Sequence, residues 1–274
     1  MSELSRLSLN QASIPAWNVA QAAEGCARAG VGWIGLWRDR VAETGLETAA
    51  RQVADAGIRV SSLCRGGWFS TGDPDRRRDD NRRAVEEAAR LGAPVLVLVC
   101  GPGPGGDLEE GRRRVADGIA DLAPLAETSG VRLAVEPLHP MYCADRSVVV
   151  TLDQALRLAV DAGHGTGVIV DAYHVWWDPA VWAGIAAAGE RILGFHVNDW
   201  LDPTPDILNG RGLMGDGVID LRRLRGAVDE AGYEGPIEVE IFSDEFARRP
   251  PDQALARICE RYLEHVAAPG GVRR

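Results

Sequence analysis

Short apolar runs alternate with longer helical segments along the whole 274-residue chain, and this alternation limits the possible fold more than any other feature. Several runs are almost wholly apolar, which is typical of strands buried on both faces of a parallel sheet. We expect strands at Leu7–Asn10, Trp33–Leu36, Arg59–Leu63, Val95–Cys100, Arg132–Glu136, Val168–Asp171, Ile192–Val197 and Ile237–Ile241.

One helical segment follows each run. Ala29-Gly30 and Leu91-Gly92 are examples of the glycine that commonly ends a helix in a left-handed conformation. We expect helices at Val19–Ala29, Ala42–Ala56, Arg76–Leu91, Leu108–Ser129, Leu152–Asp161, Pro179–Ala188, Leu221–Ala231 and Pro251–Val266.

Strict strand–helix alternation predicts an α/β protein with a parallel sheet and helical crossovers. Eight such units in about 250 residues are typical of a (β/α)8 TIM barrel. We therefore predict a single barrel domain over residues 1–274, with a doubly wound open sheet as the alternative.

The basic residues of the chain are all arginine, and lysine is absent from the sequence. This excludes reaction classes that need a lysine amine, including Schiff-base aldolases, lysine-linked pyridoxal enzymes and P-loop nucleotide hydrolases. The segment Gly101–Gly106 matches GxGxxG, but its two prolines lack the N–H groups that would bind a pyrophosphate. We expect no nucleotide cofactor.

The net charge of −10 argues against broad binding of nucleic acid, which needs a basic surface. The longest purely apolar run, Ala93–Cys100, is far shorter than the roughly 20 residues of a transmembrane helix. The start of the sequence lacks a signal-peptide pattern, and its five cysteines are scattered. These features predict a cytoplasmic protein without nucleic-acid or membrane partners, and the acidic composition with its large apolar content allows a homodimer without requiring one.

Metal-capable side chains stand at the ends of four consecutive predicted strands: Glu136, Asp171, His196 and Glu240. Catalytic residues of a TIM barrel lie at the C-terminal ends of its strands. Three carboxylates and one imidazole suit Mn2+, Mg2+, Co2+ or Zn2+, and a divalent ion would remove the repulsion between the carboxylates. The pattern therefore predicts one divalent metal site, for which we expect Mn2+ first.

Four segments that contain these residues resemble the xylose isomerase-like TIM-barrel superfamily, in particular its sugar phosphate isomerase/epimerase group with inosose isomerases and ketose 3-epimerases. The segments are Ala134–Pro140, Val170–His174, Gly194–Asp199 and Glu238–Ile241.

The resemblance implies that Glu136, Asp171, His196 and Glu240 are the metal ligands, with Glu136 and Glu240 also acting as the acid/base pair. It also implies that His174 and Arg211 bind substrate. Where ketose 3-epimerases carry a second glutamate, this chain has Tyr142, which argues against epimerisation of free ketohexoses.

Further candidates for substrate binding follow the predicted strands. His139 lies close behind Glu136, and several tryptophans fall just after a strand, where an indole can stack on a sugar ring. The tryptophan candidates are Trp37, Trp68, Trp177 and Trp200.

These residues predict a metal-dependent isomerase or epimerase of a sugar, keto-sugar or cyclitol, which works through a metal-stabilised enediolate. The same proton abstraction could instead expel a leaving group. A lyase, a dehydratase or an enzyme that cleaves C-glycosides of 3-keto sugars, with a small partner subunit in some relatives, is therefore the main alternative. An apurinic-site endonuclease and a non-catalytic binding barrel are minor ones.

Overall fold

The computed structural model describes residues 3–267, and in it eight parallel strands close into a barrel. Each strand pairs with its neighbours in the chain, and the eighth returns to the first, with Leu7 opposite Ile237. The strands are Leu7–Asn10, Trp33–Trp37, Arg59–Gly67, Val95–Val99, Arg132–Val135, Gly167–Asp171, Ile192–Val197 and Ile237–Val239. The predicted TIM barrel is thus confirmed.

Helices surround the barrel. The principal ones are Val19–Ala29, Arg38–Thr44, Leu46–Asp55, Pro74–Leu91, Leu108–Thr128, Leu152–Ala162, Val181–Ala188, Leu221–Glu230 and Pro251–Tyr262. A single turn, Ala172–Val175, directly follows the sixth strand. No helix among residues 3–267 is both long and apolar enough to cross a bilayer.

The predicted helix Ala42–Ala56 was wrong, because the chain forms two helices that meet at Gly45. Gly45 has φ 86°, a left-handed backbone conformation that interrupts the helical ladder and that glycine adopts without strain. The third strand extends beyond its predicted end to Gly67, and the eighth ends at Val239 before its predicted end. The ends of the predicted domain, residues 1–2 and 268–274, lie outside the described residues.

Alternation along the strands separates two faces. In the first strand, Leu7 and Leu9 join the large apolar core, whereas Ser8 and Asn10 point to the opposite face and contact polar groups of other strands. The eighth strand repeats the pattern, with Ile237 and Val239 in the core. Polar side chains at alternate positions are therefore turned into the barrel.

Candidate metal centre and active site

The four predicted ligands share the inward-facing side of their strands. Each lies one position from a residue of the large apolar core, such as Val135 before Glu136 or Val197 after His196. Since successive side chains in a strand point in opposite directions, the ligands project into the barrel mouth. One ligand atom from each of Glu136, Asp171, His196 and Glu240 lies within 4.8 Å of the others.

All four side chains are buried, with at most 5% of each residue exposed. His196 Nδ1 lies 3.3 Å from Glu136 Oε1, yet neither atom has a hydrogen-bond partner among the described residues. Buried polar atoms are normally paired, and within residues 3–267 these two have only their electrostatic contact with each other, which needs a protonated His196. A divalent cation is a partner that both a carboxylate and an imidazole accept, and the residues present therefore fit a metal.

Asp171 is held by two donors on one oxygen. Its Oδ1 accepts hydrogen bonds from the backbone N–H of Tyr173 at 2.8 Å and from Asn198 Nδ2 at 3.1 Å. The sequence prediction did not include Asn198. These bonds fix the rotation of the carboxylate and leave Oδ2 facing Arg211 and His174.

The cluster carries more negative than positive charge. Burial raises the pKa of Glu136 to about 7, although His196 acts in the opposite direction. Burial lowers the pKa of His196, but the carboxylates of Glu238, Glu136 and Glu240 outweigh this effect and raise it to about 10. The groups thus attract positive charge to the space between them.

Arg211 reaches this cluster from a two-stranded antiparallel ribbon, in which Arg211 pairs with Trp200. Its Nη1 lies 2.8 Å from Glu240 Oε2 and 3.4 Å from Asp171 Oδ2. The guanidinium carbon lies 4.6 Å from the ring centre of Tyr173 and 4.7 Å from that of Phe242. Two aromatic rings and two carboxylates therefore fix the position of one cation.

His174 lies beside Arg211 and is also buried. Its Nδ1 accepts a hydrogen bond from the backbone N–H of His139 at 3.1 Å, which assigns the ring proton to Nε2. Nε2 lies 3.8 Å from Asp171 Oδ2 and 3.4 Å from Arg211 Nη2. Burial lowers the pKa of His174 to about 3, so the neutral ring presents an N–H donor at the cluster.

Three of the other predicted substrate residues form an aromatic wall beside His174. The ring of His139 stacks on Trp200, with centroids 5.1 Å apart, and meets the edge of Trp177 at 5.5 Å. Trp177 Nε1 donates a hydrogen bond to the His174 carbonyl oxygen at 2.8 Å. We call His139, Trp177 and Trp200 the aromatic wall.

Trp37 and Trp68 have different surroundings. Trp37 Nε1 donates to Asn10 Oδ1 at 2.8 Å, and its ring meets the edge of Phe242. Trp68 packs against a small apolar cluster that includes Tyr142, and the guanidinium of Arg65 lies over its ring. The sequence placed these tryptophans on one face of the barrel, but it did not indicate their different neighbours.

Asp199, the carboxylate that follows the seventh strand most closely, organises a loop. Its oxygens accept hydrogen bonds from the backbone N–H groups of Gly215 and Ile219 at 2.9 and 3.0 Å. Within residues 3–267, one group of three or more His, Cys, Asp or Glu side chains is close enough to share a metal, and Asp199 is not in it.

The sequence prediction also missed Asn10 and Glu238, which lie directly beside the cluster. Asn10 Nδ2 is 3.0 Å from Glu240 Oε1, and Glu238 is buried in the barrel two residues before Glu240. A polar residue that ends the first strand was the available signal for Asn10, and a glutamate inside an apolar strand was the signal for Glu238.

A profile described as xylose isomerase-like TIM barrel matches residues 23–264. The chain belongs to the xylose isomerase-like TIM barrel family. The resemblance inferred from the sequence motifs is thereby confirmed, including its link to inosose isomerases and 3-epimerases.

Two relatives of this protein are named as enzymes. Inosose isomerase of Bacillus subtilis (strain 168) is 26% identical over 154 residues, which cover 54% of this chain and 53% of that protein. The chain thus spans about half the length of that relative. The L-ribulose-5-phosphate 3-epimerase UlaE of Shigella flexneri is 25% identical over 240 residues, which cover 80% of this chain and 77% of the epimerase.

Solved structures share the complete barrel. A protein of Sinorhizobium meliloti 1021 is 48% identical, with a TM-score of 0.93 over 96% of this chain and 98% of that one. An IOLI protein whose crystal structure contains a binding zinc atom has a TM-score of 0.84 and 21% identity, over 97% of this chain and 100% of that one. At 21% identity, the second comparison shows a common fold.

Proposed function

We propose that the protein is a divalent-metal-dependent isomerase or epimerase of a sugar, keto-sugar or cyclitol. The observation that carries this proposal is the pair Glu136 and Glu240, which directly follow the fifth and eighth strands and share one buried cluster with Asp171 and His196. The relatives named as an inosose isomerase and a ketose-phosphate epimerase support the same reaction class.

The chemistry requires removal of a proton from the carbon beside a carbonyl and its return to a neighbouring carbon or to the opposite face. Glu136 and Glu240 are the acid/base pair, since a carboxylate within hydrogen-bond reach can remove or return such a proton. When bound, the metal would act as a Lewis acid that polarises the carbonyl and balances charge on the substrate oxygens.

Arg211 and His174 are the substrate-orienting groups in this proposal. Each offers N–H donors beside the carboxylate cluster, and each is fixed by packing or hydrogen bonds before any substrate arrives. Donors held in place do not need to reorganise when negative charge develops on a substrate oxygen. The aromatic wall would contact the carbon skeleton of the substrate.

Mn2+ is the proposed metal, because a site with three carboxylates and one imidazole offers mostly hard oxygen ligands. The zinc in the IOLI structure makes Zn2+ the main alternative. Glu136, Asp171, His196 and Glu240 would hold the ion.

The test combines metal content with solvent-deuterium exchange. Purified protein would be analysed for metal, and then incubated in D2O with a panel of ketoses, ketose phosphates and inososes. We expect about one divalent ion per chain, lost in His196→Ala, and incorporation of deuterium beside the carbonyl of at least one compound. Asp199→Asn is a matched control, because Asp199 is buried near the site but outside the ligand cluster.

A substitution at Glu240 tests the proposed acid/base role more directly. Glu240→Gln should abolish exchange, whereas the Asp199→Asn control should retain it if it folds. Wild-type protein that binds no metal after incubation with Mn2+, or that exchanges none of the compounds, would contradict the proposed function.

A lyase acting on a larger substrate is the second candidate, and the aromatic wall is the observation that favours it. Stacked rings of His139 and Trp200 suit an apolar or aromatic substituent better than a small free sugar. Both reactions begin with the same proton abstraction, so the exchange experiment would detect either. Release of an aglycone from a 3-keto C-glycoside would assign the lyase.

A further inference from the structure

The orientation of the Asn10 side chain is fixed by two groups that can only donate. The backbone N–H of Ala12 lies 3.0 Å from Asn10 Oδ1, and the indole Nε1 of Trp37 lies 2.8 Å from the same atom. A flipped amide would place its NH2 group against these two donors, so the oxygen must face them. The NH2 group therefore points in the other direction, into the barrel.

There the NH2 group meets two carboxylates. Asn10 Nδ2 lies 2.7 Å from Glu238 Oε1 and 3.0 Å from Glu240 Oε1. The amide has two protons and can donate one to each carboxylate. Its four hydrogen bonds make Asn10 a fully paired bridge between the first strand and the eighth.

Glu240 is consequently held at both of its oxygens. Asn10 binds Oε1, and Arg211 Nη1 lies 2.8 Å from Oε2. Two donors on different oxygens fix the rotation of a carboxylate about its last bond. Removing the donor from Oε1 would leave Arg211 as the remaining side-chain donor to Glu240 among the described residues.

The other end of the bridge is anchored in a space shaped for a carboxylate. Glu238 is 3% exposed, and its oxygens accept hydrogen bonds from Ser61 at 2.8 Å and from Ser62 at 2.9 Å. A Cβ atom at Gly35 would lie 2.1 Å from Glu238 Oε1, so glycine is required for this space. Burying a carboxylate is costly, and an apolar side chain would often stabilise a barrel interior as well or better.

We infer that Asn10 is a positioning residue for Glu240, and that Glu238 anchors Asn10 in the orientation this role needs. The inference depends on the proposed function, in which Glu240 transfers a proton and binds the metal. Asn10 touches neither the substrate nor the metal in this scheme. It acts by holding Glu240 Oε1, so that Oε2 faces Arg211 and the cluster.

The decisive comparison is between Asn10→Asp and Asn10→Ala. Aspartate keeps the size of the side chain and the acceptor for Ala12 and Trp37, but it offers the two carboxylates at most one proton instead of two. If Asn10 only fills space, aspartate should resemble the wild type and alanine should be worse. If Asn10 acts as a donor to Glu240, aspartate should be at least as damaging as alanine.

We expect both variants to lower kcat for deuterium exchange by about 10- to 100-fold at saturating Mn2+, with KM changed about twofold or less, as for other residues that orient metal ligands. Ser8→Ala is the matched control. Ser8 is buried on the same strand and forms a hydrogen bond with Ser61, but no hydrogen bond joins it to Asn10 or Glu240 among the described residues. Aspartate with kcat within twofold of the wild type would overturn the inference.

Glu238 provides a second pair of variants in case the Asn10 variants do not fold. Glu238→Gln keeps an oxygen acceptor for Asn10, whereas Glu238→Ala removes it. We expect glutamine to retain more of kcat than alanine, and equal, wild-type rates in both would overturn the anchoring role.

A separate readout distinguishes this inference from the proposed function. If wild-type protein exchanges no compound, the proposed function fails, and the affinity for Mn2+ alone then tests the inference. Weaker Mn2+ binding by Asn10→Asp than by Ser8→Ala would support positioning of Glu240 as a ligand. Equal affinities would overturn it.

Discussion

The metal-free protein should lose stability as the pH rises from 6.5 to 9, because His196 is held in its protonated form. Burial lowers the pKa of His196, but the surrounding carboxylates raise it to about 10, compared with about 6.5 in an unfolded chain. A pKa that is higher in the folded state stabilises the fold fully below the unfolded value. That contribution is then lost as the pH rises through the folded value.

The magnitude follows from the shift. Each pH unit between the two pKa values removes up to about 1.4 kcal/mol, so the change from pH 6.5 to 9 is about 3 kcal/mol as an upper bound. For a chain of this size, this corresponds to a fall in Tm of roughly 6 to 12 °C. Glu136 acts with the same sign at lower pH, since its pKa is raised to about 7.

Mn2+ should reverse this dependence. A bound cation requires neutral His196 and ionised carboxylates, so binding at pH 8 should release about one proton from His196. Thermal melts at pH 6.5, 8 and 9, with and without Mn2+, would measure the stability. Calorimetric titration in two buffers with different ionisation heats would count the protons.

Two variants complete this experiment. His196→Gln should abolish both the proton release and most of the pH dependence, whereas His164→Gln should preserve them because His164 is exposed and pairs with Glu127. The reasoning is refuted if the metal-free wild type becomes more stable between pH 6.5 and 9, or if Mn2+ binds without releasing a proton.

Three further substitutions, the first with a control variant, test the structure in other places. Gly35→Ala should destabilise the fold by about 1 to 3 kcal/mol in thermal melts, because its Cβ would lie 2.1 Å from a buried carboxylate oxygen. Gly32→Ala, whose Cβ would find its nearest atom at 4.0 Å, should have a much smaller effect. Arg211→Lys should lower kcat/KM for exchange at least about 10-fold, since an ammonium cannot reproduce the planar fork stacked between two rings. Trp200→Ala removes the ring stacked on His139 and should raise KM more than it lowers kcat, and an unchanged KM would contradict a role in substrate binding.

The barrel could be predicted because the sequence repeats a strand–helix unit eight times, and eight such units are typical of a closed parallel barrel. The break at Gly45 could not, since Glu43, Leu46 and Glu47 around it are good helix formers and the two helices are separated at the positive-φ backbone of the glycine. The ends of the strands were also predicted less accurately than the strands themselves. The last residue of a strand that pairs with a neighbouring strand depends on where that neighbour ends.

The clustering of the four predicted ligands could be anticipated because they stand at the ends of four consecutive strands. Asn10 could not be connected with Glu240 in the same way, since the two residues are 230 positions apart and meet only because the first strand pairs with the eighth. The tryptophans illustrate a related limit. A position after a strand indicates the end of the barrel where a side chain lies, but not which neighbours it meets.

The interior of the barrel is divided into a polar side and an apolar side. Ser8, Ser61, Ser62 and Glu238 form hydrogen bonds on the side of the first, third and eighth strands. A separate apolar cluster contains Ala134 and Ile169, each two residues before a predicted ligand of the fifth or sixth strand. The polar side of the interior therefore supplies hydrogen-bond donors next to the metal-ligand cluster, whereas the apolar side supplies almost none.

This division gives the two proposed acid/base residues different surroundings. Glu240 receives a hydrogen bond from Asn10 on one oxygen and from Arg211 on the other, and these two donors fix the rotation of its carboxylate. Glu136 lies at the end of a strand on the apolar side of the interior. Its Oε1 has no hydrogen-bond partner among residues 3–267, and burial raises the pKa of Glu136 to about 7. A group that titrates near neutrality can give or take a proton with little cost, so an interior divided in this way suits a reaction that needs a base and an acid in the same cluster.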